Sequence, residues 1–486
     1  MSIDDRSGKV PGKNGIPEHR TAEQRRADSV RVRRQLAVLT SAGEQARIER
    51  IITQLQARQE LAPRRYALRF DRYPVTTAAG RASYVLVARG QLVVRVSPGK
   101  DGATAVDRAL AALRYRWADS MNRSRDVHTE VFEGDKRPDE LAADVKTLRA
   151  QGITAAPNIV VPLGTDVDPP PGDGGGSGHI IKGDNYPSAT AGPGPYPPPN
   201  VTTNAATDVR VAVIDTGITP EMRADGWLAG VTRASDNTDP LDILPDNGAG
   251  GGDGRLDWFA GHGTFAAGVV QRVAPDCEIV AYRFTRSDGL GTAQDVANAM
   301  LLAAEEAARD GVRLIINASL GTPGIGGEAP LSLSDAVATM KEKYPDVLIV
   351  ASAGNNGSTE PMYPAAMDHV VAVGALTDDL RGAPFSSRGK WVDCSTVGVG
   401  VVSTFVAGTL PPEVDPLIPD FTFPANSWTV WTGTSFSAPQ ISGAVAVLCQ
   451  NTPGLSPRAA LDALLAGRPT LADFGRILRI LPGTPG

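Results

Sequence analysis

A serine at the start of a predicted helix stands in a setting that suits nucleophilic chemistry. Ser435 lies in the segment Gly-Thr-Ser-Phe-Ser-Ala-Pro, residues 433–439, just before an apolar run from Ile441 to Cys449 that predicts a buried helix. A hydroxyl there is close to free backbone N–H groups and to the positive end of the helix dipole. Acyl transfer needs that environment, because the attacked carbonyl oxygen becomes an anion. Taken alone, a serine in this position is more often a simple helix cap.

Two further segments supply a candidate acid and a candidate base. The run Val211 to Gly217 is β-branched and apolar and contains Asp215 near its end, which predicts a buried parallel strand carrying an acid at its carboxyl end. His262 lies between two glycines and opens an apolar run that predicts a helix. The other histidines lie in polar or Gly/Pro-rich surroundings or just before a strand-like run: His19, His128, His179 and His369.

These three residues can form one catalytic unit. A serine hydroxyl is a poor nucleophile until a base accepts its proton, and His262 is the well-placed base. Asp215, which we expect to be partly buried, would accept the other imidazole N–H and stabilise the imidazolium.

The order Asp, His, Ser with these flanking residues resembles the subtilisin-like serine proteases (subtilases). The resemblance covers roughly residues 208–466 and includes Ala351 to Gly357 (Ala-Ser-Ala-Gly-Asn-Asn-Gly). It implies that Asn355 donates its side-chain amide to the oxyanion. It also implies that the segment Asn317 to Gly321 pairs with substrate backbone. The substrate-binding residues implied by the resemblance are Ser319, Leu320, Gly321, Ser352, Ala353 and Gly354. Phe436 departs from the family pattern, since a methionine is frequent there, and we expect it to change packing more than chemistry.

The chain from Asp208 onward alternates strand-like and helix-like runs. The strand-like runs are Val209–Ile214, Ile279–Phe284, Leu314–Ala318, Val347–Ala351 and Val370–Val373; the helix-like runs are Ala293–Arg309, Leu333–Lys343 and Ser435–Gln450. This alternation predicts an α/β fold, and the resemblance implies that it is subtilisin-like: a mostly parallel sheet with helices on both faces.

The sequence before this region predicts a helical basic arm and a small α+β domain. We expect a disordered arm over 1–20, helices broken near Ser41 to Gly43 over 21–62, an α+β domain over 63–165, a Pro/Gly-rich linker over 166–205 and the catalytic domain over 206–486. Within 63–165, a hairpin is predicted to turn at Arg89-Gly90, followed by helices near Ala105–Trp117 and Pro138–Gly152 and an extended segment Ile153–Leu163. By position, the resemblance implies a propeptide-like domain that inhibits or chaperones the catalytic domain.

Charge and composition limit the partners. The net charge is −6, which gives no reason to expect nucleic acid, although the first 70 residues carry 15 Lys and Arg against 8 Asp and Glu. The three cysteines are widely spaced beside apolar runs and indicate neither disulfides nor a metal site. With no signal-like or membrane-spanning run, we expect a cytoplasmic protein without membrane contact, and leaderless export stays open.

Six acids before His262 predict either a calcium site or a solvated acidic loop: Asp236, Asp239, Asp242, Asp246, Asp253 and Asp257.

Two function classes follow. The first is a serine endopeptidase that acts on polypeptides and is regulated by its N-terminal region. The alternative is a catalytically inert, subtilase-shaped binding protein whose basic helices Thr21–Leu61 recruit a partner. An esterase of another α/β family is disfavoured, because Ser435 lacks a Gly-x-Ser-x-Gly elbow and the order of the three residues differs.

Overall fold

The computed structural model describes eleven stretches of the chain: 16–40, 44–63, 66–76, 82–96, 100–118, 124, 126–163, 208–245, 252–286, 289–410 and 420–486. The linker predicted over 166–205, most of the arm predicted over 1–20, and Asp246 lie outside the described residues. Among the described residues, no helix combines the length and apolarity needed to cross a bilayer.

Two helices open the described chain, α1 (Ala22–Thr40) and α2 (Glu44–Leu61). They are followed by a small α+β unit built from five strands and two helices. Its elements are β1 (Phe70–Thr76), β2 (Ala82–Arg95), α3 (Lys100–Ala112), β3 (Arg116–Ala118), β4 (Thr129–Glu133), α4 (Pro138–Ala150) and β5 (Ala155–Pro162). The strands form an antiparallel sheet in the order β3-β4-β2-β5. β1 also pairs with β2, along its first half, whereas β4 pairs along its second half. Leu141, Val145 and Leu148 of α4 are buried in the core of this unit, which their i, i+4, i+7 spacing predicted.

The hairpin predicted at Arg89-Gly90 is wrong. The chain runs on as one long strand, β2, which pairs with β1 up to Ala88 and with β4 from Gln91 onward. Gly90 has φ +63°, and a Cβ there would lie 2.0 Å from the carbonyl oxygen of Gly134. The glycine therefore bends a continuous strand against its neighbour, and it does not reverse the chain.

The first helix predicted in this unit, near Ala105–Trp117, extends too far toward its C-terminal end. Helix α3 ends at Ala112, and Trp117 pairs with Phe132 in the β3–β4 ladder. Arg114, between them, has φ +64°, a left-handed conformation that ends a helix. The strand pairing with β4, which lies more than ten residues later in sequence, decides the local structure here.

The region predicted as the catalytic domain, 206–486, contains an eight-stranded sheet. Its strands are β6 (Val209–Asp215), β7 (Glu278–Arg283), β9 (Arg313–Ala318), β10 (Leu348–Ser352), β11 (Val370–Leu376), β12 (Cys394–Val397), β17 (Thr470–Leu471) and β18 (Gly475–Ile477), in the order β7-β6-β9-β10-β11-β12-β18-β17. All neighbours are parallel except β17 and β18. Small ladders add β8 (Leu290–Thr292), β13 (Val401–Thr404), β14 (Gly408–Thr409), β15 (Thr422–Phe423) and β16 (Trp428–Trp431).

Helices cover both faces of this sheet: α5 (His262–Val273), α6 (Ala293–Asp310), α7 (Leu331–Lys343), α8 (Ala438–Asn451) and α9 (Pro457–Leu465). Alternate residues of β6 face opposite layers. Val211 and Val213 are in the cluster that contains α5 and α8, whereas Ala212 and Ile214 are in the cluster that contains α6 and α7. Both faces are therefore apolar, which is why the strands are continuous apolar runs. The predicted subtilisin-like α/β architecture is present.

The two units share one hydrogen-bonded edge. Strand β5 of the α+β unit pairs antiparallel with β8 of the region 206–486, joining Val160 to Thr292 and Pro162 to Leu290. The antiparallel sheet thus ends on the surface of that region.

A buried strand residue tests this architecture. Ile316 on β9 is 0% exposed and lies in the layer of α6 and α7. Ile316→Ala is expected to lower the free energy of unfolding by about 2–5 kcal/mol, because it removes buried methyl groups and leaves a cavity. Urea denaturation measures this, with Met222→Ala as the control, since Met222 is 61% exposed. Equal effects of the two changes would contradict the assignment of Ile316 to the core.

Candidate active site

An aspartate and a histidine form a buried hydrogen-bonded pair. Asp215 is the last residue of β6 and His262 the first residue of α5. The imidazole Nδ1 lies 2.8 Å from Oδ1 and 2.9 Å from Oδ2 of the carboxylate. An ionised carboxylate only accepts hydrogen bonds, so Nδ1 carries the proton and Nε2 is left as the basic nitrogen. Both residues are 0% exposed, so Asp215 is more deeply buried than expected.

Glycines let β6 and α5 approach each other this closely. A Cβ on Gly263 would lie 2.2 Å from the carbonyl oxygen of Gly217 and 3.1 Å from Cβ of Asp215. Gly217 itself has φ +100°, a conformation that side-chain-bearing residues rarely adopt. The glycines beside the acid and the base are thus a packing requirement of the pair.

The imidazole of His262 packs against aromatic rings. Its centroid lies 5.5 Å from the ring of Trp431 in an edge-on arrangement and 5.4 Å from the ring of Phe436. Trp431 ends β16, and Phe436 directly follows Ser435. These contacts bring the segment that carries the serine to the histidine.

Ser435 lies in a short 3-10 turn, Thr434–Phe436, and α8 begins only at Ala438. The helix predicted from Ser435 therefore starts three residues later. Pro439 is in its first turn, where a missing N–H costs no hydrogen bond. The Ser435 hydroxyl donates to the carbonyl oxygen of Ser319 at 3.4 Å, and the Ser319 hydroxyl donates to the carbonyl oxygen of Ser435 at 2.8 Å.

Asn355 is oriented by the residue before the serine. Its Oδ1 accepts the backbone N–H and the hydroxyl of Thr434, each at 2.8 Å. Because a backbone N–H can only donate, this pairing sets which end of the carboxamide is the oxygen. The amide nitrogen is consequently directed away from Thr434. A side-chain N–H donor held in this way is the kind of group that stabilises an oxyanion.

The candidate substrate-binding residues lie at the carboxyl ends of β9 and β10. Ser319, Leu320 and Gly321 follow β9, and the Ser352 hydroxyl contacts the carbonyl oxygen of Leu320 at 3.5 Å. Ala353 and Gly354 follow Ser352, and the Gly354 N–H donates to the Thr434 hydroxyl at 3.2 Å. The structure therefore brings all the residues named from the sequence to one edge of the sheet.

A buried acid next to the pair was not singled out from the sequence. Asp239 accepts the Thr216 hydroxyl at 2.7 Å and the Gly261 N–H at 2.8 Å, so it joins the residue after Asp215 to the residue before His262. Burial, reinforced by the nearby Asp215, raises the pKa of Asp239 to about 6. In the sequence it was one of six acids before His262, and nothing distinguished it from the others.

Three other acids of that cluster accept protein donors. Asp253 and Asp257 lie 3.1 Å and 3.4 Å from the guanidinium of Arg58 on α2. Asp242 accepts the backbone N–H groups of Asp253 and Gly254, each at 2.9 Å. Within the described residues, which do not include Asp246, no group of three His, Cys, Asp or Glu side chains could hold a metal ion. The cation that Asp253 and Asp257 face in this structure is Arg58.

Comparison with known proteins gives consistent relatives. The thermophilic serine proteinase of Bacillus sp. (strain AK1) is 30% identical over 307 residues, which are 58% of this chain and 65% of that protein. Subtilisin DY of Bacillus licheniformis is 29% identical over 282 residues, which are 55% of this chain and 85% of that protein. The chain thus spans less than two thirds of the first of these relatives.

A solved structure shares the fold. The crystal structure of fervidolysin from Fervidobacterium pennivorans, a keratinolytic enzyme related to subtilisin, has a TM-score of 0.55 at 20% identity and covers 84% of this chain and 62% of that chain. The sequence model of the subtilase family matches residues 206–473, more than half of the 486 residues and the part that contains every site residue above. The chain therefore belongs to the subtilase family.

Proposed function

We propose that the protein is a serine endopeptidase with Asp215, His262 and Ser435 as its catalytic residues. The observation that carries the proposal is the buried pair of His262 Nδ1 and Asp215 at 2.8 Å, held beside the turn that contains Ser435. A buried carboxylate that fixes the tautomer of a histidine next to a serine is the arrangement that activates a hydroxyl.

The reaction follows from these positions. Ser435 Oγ attacks the peptide carbonyl carbon while His262 Nε2 takes its proton. The C–N bond then breaks as the imidazolium returns that proton to the leaving amine, which leaves an acyl ester on Ser435. Water, deprotonated by the same nitrogen, hydrolyses the ester. Asp215 stabilises the imidazolium in both steps, and the amide of Asn355 with the backbone N–H of Ser435 would hold the oxyanion.

The N-terminal α+β unit is proposed to inhibit this site by occupying the substrate's place. The end of β5 pairs with β8, and Leu163 N–H donates to the carbonyl oxygen of Gly289 at 3.0 Å. On its other side, the Thr322 hydroxyl lies 3.4 Å from the carbonyl oxygen of Val160. Thr322 follows the segment Ser319–Gly321. β5 therefore lies between β8 and the residue that directly follows Ser319–Gly321, the segment expected to bind substrate backbone, and an extended strand there would take the place of a peptide substrate.

Polar contacts hold the same unit against α6 and α7. Asp126 accepts the ammonium group of Lys343 and, at 2.6 Å, the hydroxyl of Tyr344. Thr129 donates to Gln294 of α6 at 2.9 Å, and Arg95 pairs with Asp335 of α7. Apolar burial accompanies these contacts, because Ile159, Val160 and Val161 of β5 lie in one buried cluster with residues of α6 such as Val296 and Met300.

Replacement of the nucleophile tests the catalytic assignment. Ser435→Ala and His262→Ala are each expected to reduce peptide hydrolysis by about 10³-fold or more, because the members of a catalytic unit act together. The control is Ser235→Ala, at an exposed serine. A phosphonate serine probe should label Ser435 in the parent after the inhibitory unit is displaced. Hydrolysis within tenfold of the parent, or no adduct at Ser435, would favour the inert binding protein.

Replacement of Asn355 tests the oxyanion assignment. Asn355→Ala is expected to lower kcat by roughly 10²–10³-fold with little change in KM, since the lost hydrogen bond forms mainly in the transition state. Steady-state kinetics on a chromogenic peptide separate the two constants. A rise in KM with unchanged kcat would instead assign Asn355 to ground-state binding.

A change at Asp126 tests the inhibitory role. Burial alone would raise the pKa of Asp126, but hydrogen bonds from Lys343 and Tyr344 outweigh it and hold the pKa below its usual value. This contact is therefore formed above about pH 4 and lost as the pH falls through the lowered pKa. Asp126→Asn is expected to raise hydrolysis by the intact chain several-fold, equally at pH 6 and pH 8. Asp107→Asn, at an exposed residue of α3, is the control, and equal activities of the two variants would refute inhibition through this contact.

A further inference from the structure

Helix α1 lies on the catalytic domain, on an apolar groove of its own. Val32 and Leu39 are 0% and 2% exposed, and Leu36 lies against the same cluster. The groove residues come from the catalytic domain: Trp227, Phe385, Val399, Val402, Trp428 and Val430. Val30, on the same helix, is 44% exposed. The helix therefore has one buried face, set by the i, i+4, i+7 spacing of Val32, Leu36 and Leu39.

A buried amide fixes the register of this helix. Gln35 is 7% exposed, and its Nε2 donates to the carbonyl oxygen of Val430 at 3.0 Å. Its Oε1 accepts the hydroxyl of Thr432 at 2.8 Å. Both ends of the side chain are thus paired with β16 and the residue after it. A buried amide with matched partners defines one docking position, since any other would leave polar atoms unpaired.

The segment before α1 is anchored to the end of the chain. Ile16 N–H donates to the carbonyl oxygen of Ile480 at 2.7 Å. Arg20 is 6% exposed and donates to the Thr484 hydroxyl at 2.6 Å and to the carbonyl oxygen of Gly483 at 2.9 Å. Asp28 of α1, 3.0 Å away, balances its charge. Apolar burial, a paired amide and a buried ion pair therefore act on one 25-residue segment, 16–40.

The docking position is adjacent to the nucleophile. Thr432, whose hydroxyl donates to Gln35, is three residues before Ser435, and the preceding residue, Trp431, packs on the imidazole of His262. Without α1, the groove would expose two tryptophans and several aliphatic residues at the strand that leads into the active site, and contiguous apolar patches of this kind are rare on free surfaces.

We propose that residues 16–40 are a permanent part of the catalytic unit. A cut anywhere in 164–207 leaves this helix bound to its groove as a separate polypeptide. The helix supports β16 and thereby positions Ser435. Because α2 connects the helix to the inhibitory unit, a single cut in the linker does not set that unit free; a second cut, between α1 and the inhibitory unit, is required. Tethering to a docked helix keeps the local concentration of the inhibitory unit high.

Retention of the helix is testable without any peptidase activity. The experiment uses a full-chain variant with Ser435→Ala and with recognition sequences for two different site-specific proteases, one inserted within 41–43 and one within 166–205. After both cuts, size-exclusion chromatography with mass spectrometry should find the fragment containing 16–40 with the catalytic fragment. The fragment should remain bound at high salt, because its contacts with the groove are largely apolar. Elution of the helix fragment alone would overturn the proposal.

A pair of valine variants identifies the docking face. Val32→Asp places a charge in the groove and should release the helix fragment, whereas Val30→Asp on the exposed face should retain it. Equal behaviour of the two would overturn the proposal. If Val32→Asp gives no soluble protein, Gln35→Ala replaces it as the test variant. It should lower the melting temperature of the cut complex by a few degrees relative to Arg33→Ala, at an exposed position, and no difference would count against the docking.

The link to Ser435 rests on the proposed function and has its own readout. In the active chain, Gln35→Ala should lower kcat more than Arg33→Ala while leaving KM nearly unchanged, because strand β16 positions the nucleophile. An unchanged kcat would refute this link but not retention of the helix. An inactive parent would refute the proposed function and leave the retention experiment, done with Ser435→Ala, unaffected.

Discussion

The buried hydrogen-bonded pair of Asp215 and His262 is the interaction on which the surrounding structure depends. A carboxylate without solvent is costly unless its oxygens are paired, and here Oδ1 accepts the Thr216 N–H at 2.7 Å as well as facing the imidazole. This pairing requires α5 to approach the end of β6 closely, and at 263 only glycine allows it, since a Cβ there would lie 2.2 Å from the carbonyl oxygen of Gly217. Asp239 then accepts hydrogen bonds from Thr216, the residue after Asp215, and from Gly261, the residue before His262. The sheet, the helix and the second acid are therefore arranged around one donor–acceptor pair.

The serine reaches this pair through a different set of contacts. Ser435 is in a short turn between β16 and α8, and its position depends on what holds β16. On one side Trp431 meets the imidazole and Phe265, and on the other side Gln35 and Val32 of α1 cover the strand. Residues near the beginning of the chain thus complete the layer behind Ser435. The packing around Ser435 accordingly includes residues outside the segment 206–473 that matches the subtilase family.

The α+β unit and helix α1 both combine apolar burial with polar contacts. The α+β unit meets β8 through backbone hydrogen bonds and meets α7 through ion pairs, and Ile159, Val160 and Val161 of β5 lie in one buried apolar cluster with residues of α6. Helix α1 buries an apolar face together with the paired amide of Gln35. That amide gives α1 a single register on its groove, because any other register would leave buried polar atoms unpaired.

The sequence by itself indicated the candidate site and determined the layers. Asp215, His262 and Ser435 stood in local settings, at a strand end and at helix starts, that a single chain reveals, whereas Asn355 was implied by the resemblance to the subtilases. The apolar runs of β6, β9, β10 and β11 predicted a sheet covered on both faces. The local pattern was insufficient where strands distant in sequence pair with each other. The run around Gly90 is one bent strand, because β1 pairs with its first half and β4 with its second half. Trp117 is in a strand and not in the predicted helix, because it pairs with Phe132. Only the tertiary structure showed which residues contact α1 and that β5 pairs with β8. It also showed that Arg58 is the cation that faces Asp253 and Asp257. Each joins residues far apart in sequence, and their contact depends on the packing of whole elements, which the spacing of residues along one element does not specify.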